Sequence, residues 1–238
     1  MEKMRKTQNL SLRDGCNENG VTGSMTVTAG EKCKIIGWQD GGFQKFGHHL
    51  RNEMGGVWAY PLKAADGFWL RINGNYPQFT EYETLPYGTV FRGEAVPGIQ
   101  MTRFQFVPDH NCGAVIAYQF ENHAEQDIKL DLAFLVRFQV LPVWFSEESG
   151  IHDEEDDAWL DESGFLIAKD RGHEWFAGFG GEEPFTSKNI SISREDAGPV
   201  GMDGRGISAI AYSTLSLKPG ESKTVRYFLA GSYTGRSA

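Results

Sequence analysis

The chain of 238 residues is 40% hydrophobic and 23% charged, with a formal net charge of −9. This composition is typical of a soluble globular protein. Phosphate surfaces attract basic faces, so the negative charge argues against nucleic acid and anionic membranes as partners. No apolar run approaches the ~18 residues of a membrane-spanning helix, and the basic start lacks the apolar stretch of a secretory signal. We therefore predict a cytoplasmic protein.

Aromatic residues make up 13% of the chain and there are 29 Gly, a combination that favours pleated strands joined by tight turns. The three cysteines, Cys16, Cys33 and Cys112, lack the CxxC spacing of a metal-binding knuckle. We interpret them as free thiols in a reducing compartment, and we expect no cofactor.

The first informative segment is the sequence EMGGVWAYPLKAADGFWL, which begins at Glu53. Two apolar runs flank Asp66-Gly67, and Asp-Gly is a common two-residue hairpin turn. We predict a strand, a turn at Asp66-Gly67 and a second strand. The aromatic residues of this hairpin are expected to divide between the core and an outer face.

Alternation of apolar and polar residues predicts several strands farther along. In the clearest case, even-numbered apolar residues from Ile128 to Phe138 form one face of a long half-buried strand. A dozen or more strands and no convincing helix indicate an all-β chain of two packed antiparallel sheets. We predict one domain over residues 1–238, with residues 1–20 as candidates for poor order. The clearest predicted strands are Thr102–Val107, Ala114–Phe120, Ile128–Phe138, Ile207–Leu217 and Ser222–Ala230.

A cluster of acidic residues lies between residues 153 and 162. We interpret it as a solvated loop, with a short helix near residues 153–160 as the alternative. Carboxylate oxygens can bind Ca²⁺, and Asp153, Glu155 and Asp157 are the candidate ligands. The segment lacks the spaced ligands and central Gly of an EF-hand loop, so we predict no metal site.

Candidate catalytic groups are few. Glycoside hydrolysis needs two carboxyl groups roughly 5–10 Å apart, and His48, His49 and Glu53 are the residues that would serve proton transfer at a sugar. His48 and His49 are adjacent and would point to opposite faces of a strand. No GxSxG, HExxH or phosphate-loop motif is present. We therefore predict no complete catalytic site in this chain.

Aromatic residues are concentrated between residues 58 and 87. Sugar rings present flat apolar faces edged by hydroxyl groups, which suit aromatic rings with polar neighbours. Aromatic residues separated by Gly and Pro also build sandwich cores, so both interpretations stay open. The candidate carbohydrate-binding residues are Trp58, Tyr60, Trp69, Arg71 and Tyr76.

Three segments together carry a resemblance to a known family. They are LSLKPGESKTVRYFLAGSY, TRFQFVPDHNCGAVIAYQFENHAEQDIKLDLAF and EMGGVWAYPLKAADGFWL. They resemble the N-terminal β-supersandwich domains of bacterial glycogen-debranching and amylo-α-1,6-glucosidase-like glycoside hydrolases, whose catalytic domain is an (α/α)6 barrel. The galactose mutarotases share a similar architecture, and a mutarotase-like enzyme is a further alternative.

The resemblance implies a two-sheet antiparallel β-supersandwich that belongs to carbohydrate metabolism. In such enzymes the catalytic acids lie on the helical barrel, and no barrel sequence is present here. The expected role is that of a non-catalytic accessory domain that binds a barrel in cis or in trans and shapes a cleft for α-glucan. The alternative is a free-standing protein that binds oligosaccharides.

Overall fold

The computed structural model describes residues 24–43, 54–142, 148–190 and 206–235. These ranges contain fifteen β-strands and no α-helix. All strand pairs are antiparallel, and the strands form two sheets. The predicted all-β, two-sheet architecture is confirmed. The proposed poor order of residues 1–20 lies outside the described residues.

One sheet has seven strands in the order β1-β2-β3-β4-β9-β14-β13. Its longest member, β9, lies between β4 and β14, which have eleven residues each. The strands are β1 (Met25–Ala29), β2 (Cys33–Trp38), β3 (Gly56–Ala59), β4 (Leu62–Ile72), β9 (Ile128–Pro142), β13 (Ser187–Ile190) and β14 (Ile207–Leu217).

The other sheet has eight strands in the order β10-β11-β12-β15-β8-β7-β6-β5. The chain crosses between the sheets several times, so both sheets contain early and late strands. The strands are β5 (Phe79–Leu85), β6 (Gly88–Val96), β7 (Ile99–Phe106), β8 (Gly113–Asn122), β10 (Asp156–Leu160), β11 (Leu166–Asp170), β12 (Phe176–Gly181) and β15 (Ser222–Ser232).

The predicted turn at Asp66-Gly67 is wrong. Strand β4 runs through both residues, and the turn to β3 lies at Tyr60-Pro61. Asp66 falls at a bulge, where the pairing with β9 shifts register, and its carboxylate lies 2.6 Å from the buried ammonium of Lys63. A Cβ on Gly67 would lie 2.7 Å from the ring of Phe43. The dipeptide therefore serves ion pairing and ring packing inside a strand.

Aromatic rings from both sheets meet around Phe134 in the middle of the sandwich. Its ring centroid lies 4.8 Å from that of Phe179, 4.1 Å from that of Tyr227 and 5.7 Å from that of Phe68. Phe134 has no exposed surface. Because Phe134 points toward the other sheet, its neighbours Ala133 and Leu135 point to the opposite face of β9, which we call the outer face.

Polar side chains fill the interior where β1 meets the eight-stranded sheet. The Thr28 hydroxyl lies 2.6 Å from that of Thr89 and accepts a hydrogen bond from the Gln105 amide at 2.9 Å. The Thr26 hydroxyl lies 2.8 Å from that of Tyr82. All five side chains are buried, so hydrogen bonds replace apolar packing at this end.

Candidate functional site

A row of four paired residues crosses the outer face of the seven-stranded sheet. Arg71 of β4 pairs with Ala133 of β9, Ala133 pairs with Tyr212 of β14, and Tyr212 pairs with Ser187 of β13. Neighbouring strands lie about 4.8 Å apart, which places the Cα atoms of Arg71 and Tyr212 about 10 Å apart. The small Ala133 between them leaves space above the sheet.

This space forms an open groove with a volume of about 400 Å³. The next row of the same face adds Asp131, which pairs with Thr214. A volume of this size is within the range of small-molecule sites in proteins. The groove is lined by Arg71, Gly74, Asp131, Leu132, Ala133, Thr186, Ser187, Tyr212, Ser213 and Thr214.

An Asn-Gly turn builds one rim of the groove. Asn73 and Gly74 have φ values of 49° and 83°, which are the left-handed values that this dipeptide accepts in tight turns. The Asn73 side-chain oxygen accepts a hydrogen bond from the Asp131 amide at 2.8 Å, and the Asn73 amide donates to the Asp131 carbonyl at 2.9 Å. These bonds fix the turn to β9, and a Cβ on Gly74 would meet no atom within 4 Å.

The two charged groups of the groove are available to a ligand. The Arg71 side chain is half-buried and makes no hydrogen bond or ion pair with another residue in the described ranges. Asp131 is exposed, and its nearest cation is the Lys129 ammonium at 3.8 Å. With the hydroxyl groups of Tyr212 and Thr214, the groove presents donors and acceptors around an apolar floor. Such a surface suits a neutral molecule rich in hydroxyl groups.

Of the five predicted carbohydrate-binding residues, only Arg71 lines the groove. Trp69 lies two residues earlier on the same face and is 7% exposed, with its ring edge-on to Phe43 at 5.5 Å. Tyr76 is half-buried. Burial lowers the pKa of the nearby Arg137 guanidinium, and the proximity of Tyr76 raises it.

Trp58 and Tyr60 lie together at a different place, beside Lys34 and Lys63. The Trp58 ring is 2% exposed, and its indole N–H donates to the Met54 carbonyl at 2.9 Å. Tyr60 is 39% exposed, and the Lys34 ammonium lies 4.6 Å from its ring centroid. Any ligand at this cluster meets Tyr60 before it meets Trp58.

The groove residues that the sequence did not single out are Asp131, Tyr212, Thr214 and Ser187. Asp131 lies on the polar face of a strand that alternation predicts correctly, which is a usable signal. Tyr212 lies in a strand that was also predicted, but its relation to Arg71 depends on strand order, which no local pattern shows.

The candidate catalytic residues His48, His49 and Glu53 lie outside the described residues. No histidine of the described ranges lines the groove. One of them, His173, lies 2.8 Å through Nδ1 from the carboxylate of the fully buried Asp170, and its ring stacks on that of Trp175 at 3.7 Å.

Buried charges underlie the neighbouring part of the outer face. Lys63, Asp66 and Arg137 are all nearly inaccessible to solvent. Burial raises the pKa of Asp66, while the charges of Lys63 and Arg137 lower it. The Arg137 guanidinium lies 3.5 Å from the hydroxyl of Ser208. These groups pack where the start of β4 pairs with the later part of β9, whereas Arg71 lies near the other end of β4, beside the groove.

The acidic segment differs from the prediction. Residues Asp156–Leu160 form strand β10, and Asp153 and Asp156 are buried, so the predicted solvated loop is wrong for these two residues. Glu155 and Asp157 are exposed, and both accept hydrogen bonds from Arg171. Among the described residues, no cluster of three or more His, Cys, Asp or Glu side chains is suited to a metal ion.

Asp156 accepts a hydrogen bond from the Val140 amide at 2.9 Å. Burial raises its pKa to about 8, and the charges of Asp153, Asp170 and Asp66 contribute to the rise. An unfolded aspartate has a pKa of about 3.9. Between these values the native state holds a proton that the unfolded state lacks, so the stability due to Asp156 falls as pH rises from about 4 to about 8.

The variant Asp156→Asn is expected to be more stable than the wild type at pH 8, by about 1–3 kcal/mol, because the amide has no proton to lose. Thermal unfolding between pH 5 and pH 8 measures the difference, and the wild-type midpoint should fall more steeply with pH. Asp157→Asn, at an exposed carboxylate, should keep the wild-type slope. Equal slopes for Asp156→Asn and the wild type would contradict the assignment.

Among the described residues, no helix is both long and apolar enough to cross a membrane. No protein-family model matches the sequence, and no curated protein matches it. Many solved structures match this fold.

A galactose mutarotase-like protein from Lactobacillus casei aligns with 88% of this chain and 100% of its own, at 11% identity and a TM-score of 0.54. A galactose mutarotase related enzyme from Lactobacillus acidophilus aligns over 89% of this chain and 98% of its own, at 8% identity and a TM-score of 0.52. A bacterial glucoamylase complexed with acarbose aligns with 90% of this chain but 34% of its own, at 10% identity and a TM-score of 0.52. The chain therefore has the galactose-mutarotase-like β-supersandwich fold that the sequence resemblance implied.

Proposed function

We propose that this chain is a carbohydrate-binding β-supersandwich domain and that the groove between Arg71 and Tyr212 holds its ligand. The observation that supports the proposal is the groove itself. A guanidinium, a phenol, a carboxylate and several hydroxyl groups surround the methyl floor of Ala133, on one face of a rigid sheet. A sugar ring can place its flat face against the floor and Tyr212, and its hydroxyl groups against Arg71 and Asp131.

The proposed ligand is an α-glucan or an oligosaccharide derived from one. A neutral sugar fits a groove in which the positive charge of Arg71 and the negative charge of Asp131 occur together. Hydrolysis of a glycosidic bond needs an acid paired with a base or nucleophile. Asp131 is the one carboxylate that lines the groove within the described ranges, so the proposed role is recognition and not cleavage.

The proposed context is an accessory domain of a glycogen-debranching type of glycoside hydrolase. A helical-barrel catalytic domain, in cis or in trans, would then complete the substrate cleft. The alignment with one third of a glucoamylase chain is compatible with this context, because the same fold occurs there within a longer protein.

A free-standing carbohydrate-binding protein is the second candidate. It is favoured by the alignments that extend over 98–100% of the mutarotase-like proteins, in which the fold makes up nearly the whole chain. A mutarotase-like enzyme would also need a histidine and a carboxylate at the sugar. Exchange of the anomers of glucose, followed by NMR, separates the two roles, since a binding protein leaves the rate equal to that in buffer.

Calorimetric titration with maltotetraose tests the site. We expect Arg71→Ala and Tyr212→Ala each to weaken binding about tenfold or more, which corresponds to roughly 1–2 kcal/mol for a lost hydrogen bond or ring contact. The control is Arg226→Ala, which removes an exposed arginine paired with Glu182 on the other sheet and should bind as the wild type does.

Two outcomes would contradict the proposed site. One is the absence of heat at millimolar maltotetraose with the wild-type chain. The other is equal affinity of the wild type and both groove variants, which would place the sugar elsewhere, for example beside Tyr60. A Tyr60→Ala variant in the same titration identifies that second case.

A further inference from the structure

Two cysteines face each other across the sandwich. Cys33 begins β2 and Cys112 comes immediately before β8. Both point into the space between the sheets, since Cys33 is buried in the core and Cys112 packs against it. Both are free thiols.

The distance between the sheets at this point follows from the neighbouring strands. Ala59 of β3 pairs with Cys33, and the Gly231 amide of β15 donates to the Cys112 carbonyl at 2.9 Å. A Cβ on Gly231 would lie 2.8 Å from the Cβ of Ala59, so the Cα atoms of these two residues lie within roughly 6 Å of each other. Strand β2 faces β8 as β3 faces β15. Cys33 and Cys112 therefore lie where the two sheets approach each other as closely as they do at Ala59 and Gly231.

The loops that lead to the two cysteines are also in contact. A Cβ on Gly30, in the turn between β1 and β2, would lie 2.7 Å from a methyl group of Val107, in the loop between β7 and β8. In the same two segments, Nδ1 of His110 lies 2.5 Å from a carboxylate oxygen of Glu31. The segments that lead to the two thiols therefore contact each other at this rim of the sandwich.

We propose that Cys33 and Cys112 form a redox-responsive thiol pair that closes to a disulfide between the two sheets. Disulfides join residues whose Cα atoms are roughly 4.4–6.8 Å apart, and the sheet separation at Ala59 and Gly231 is of that size. The oxidant is a low-molecular-weight disulfide such as oxidised glutathione. The pair is separate from the groove, and the inference does not depend on the proposed function.

The reaction has two balanced steps. The partly exposed Cys112 thiolate attacks one sulfur of oxidised glutathione, which forms a mixed disulfide and releases one glutathione thiolate. The Cys33 thiolate then attacks the Cys112 sulfur, and the second glutathione leaves. Two protein thiols lose two electrons and two protons, and one glutathione disulfide becomes two thiols.

The second step is expected to be slow at neutral pH. Burial raises the pKa of Cys33 to about 12, and the nearby Cys112 contributes to the rise. Thiolate is the reacting form, so the rate of closure should increase about tenfold per pH unit between pH 7 and pH 9.

The test uses the full chain with Cys16→Ser, which leaves two thiols. After incubation with oxidised glutathione we expect a mass lower by two hydrogens, a peptide pair joined through Cys33 and Cys112, and no thiol titratable in denaturant. The closed form encloses a loop of about 80 residues and should unfold roughly 5–10 °C higher than the reduced form. Dithiothreitol should reverse both changes.

Cys33→Ala in the same background is the matched control. It should stop at the glutathione adduct on Cys112 and show no increase in unfolding temperature. The inference is overturned if the two-thiol chain also stops at that adduct at pH 9, or if the joined peptides come from two molecules. A dimer on a non-reducing gel identifies the latter case.

Discussion

The variant Phe134→Ala is expected to lose about 3–5 kcal/mol of unfolding free energy, with a fall in Tm of roughly 10 °C. The ring is completely buried and contacts aromatic rings from both sheets, among them Phe179 and Tyr227. Its removal leaves a cavity between two sheets that are each held by hydrogen bonds, so the site cannot collapse to fill the space. The loss should therefore lie in the upper part of the range for aromatic truncations.

Urea unfolding followed by tryptophan fluorescence measures this loss. The matched control is Phe228→Ala, which removes a ring of the same size from the exposed face of β15 and should cost less than about 1 kcal/mol. If Phe134→Ala loses as little stability as is expected for Phe228→Ala, the packing around Phe134 contributes little. The slope of free energy against urea concentration should stay unchanged, since both variants keep the same folded surface.

The variant Lys63→Met is expected to destabilise the chain by about 3–5 kcal/mol at pH 7, because it leaves the Asp66 carboxylate buried without its partner at 2.6 Å. Burial already raises the pKa of Asp66, and the loss of Lys63 should raise it further. Below about pH 4 the carboxyl group is neutral in both the folded and the unfolded state. The penalty is therefore absent there and grows as pH rises toward the folded-state pKa.

Thermal unfolding of Lys63→Met and the wild type at pH 4 and pH 7 measures this effect. The double variant Lys63→Met/Asp66→Leu removes both charges and should regain most of the stability. Lys223→Met, at an exposed pair with Glu221, serves as the control and should change stability by less than about 0.5 kcal/mol. A double variant as unstable as the single one would show that the loss arises from packing and not from charge.

The long strands could be predicted from the sequence because their two faces differ. Strand β14 has the predicted bounds, Ile207–Leu217, and β8 and β15 differ from prediction by two residues or fewer at each end. Strand β9 extends beyond the predicted end to Pro142. Its last residues are buried on both faces, and alternation gives no signal where both faces are buried.

The Asp66-Gly67 dipeptide shows why local turn signals can fail. The dipeptide is compatible with a tight turn in isolation, but a buried lysine three residues earlier and the Phe43 ring from another strand decide its conformation. The prediction of a solvated loop for the acidic segment is wrong for a related reason. Its carboxylates were expected to be solvated, whereas the Val140 amide supplies a buried hydrogen bond for Asp156.

The groove could be predicted only in part. Arg71 was singled out from its aromatic surroundings, whereas Tyr212 lies about 140 residues later in the chain. The two residues become neighbours because β9 pairs with β4 on one side and with β14 on the other. Strand order of this kind depends on the whole fold, and no spacing or motif within either segment encodes it.

The hydroxyl and amide groups between β1 and the eight-stranded sheet have a consequence for how the two sheets align. Strand β1 is an edge strand, so backbone pairing with β2 alone fixes its register within the described sheet. Apolar side chains would tolerate a slip of two residues, because one methyl group replaces another. The hydrogen bonds of Thr26 to Tyr82 and of Thr28 to Gln105 do not tolerate such a slip. After a slip, these buried polar atoms would be left without hydrogen-bond partners. These bonds therefore fix the position of the seven-stranded sheet relative to the eight-stranded sheet at this end of the sandwich.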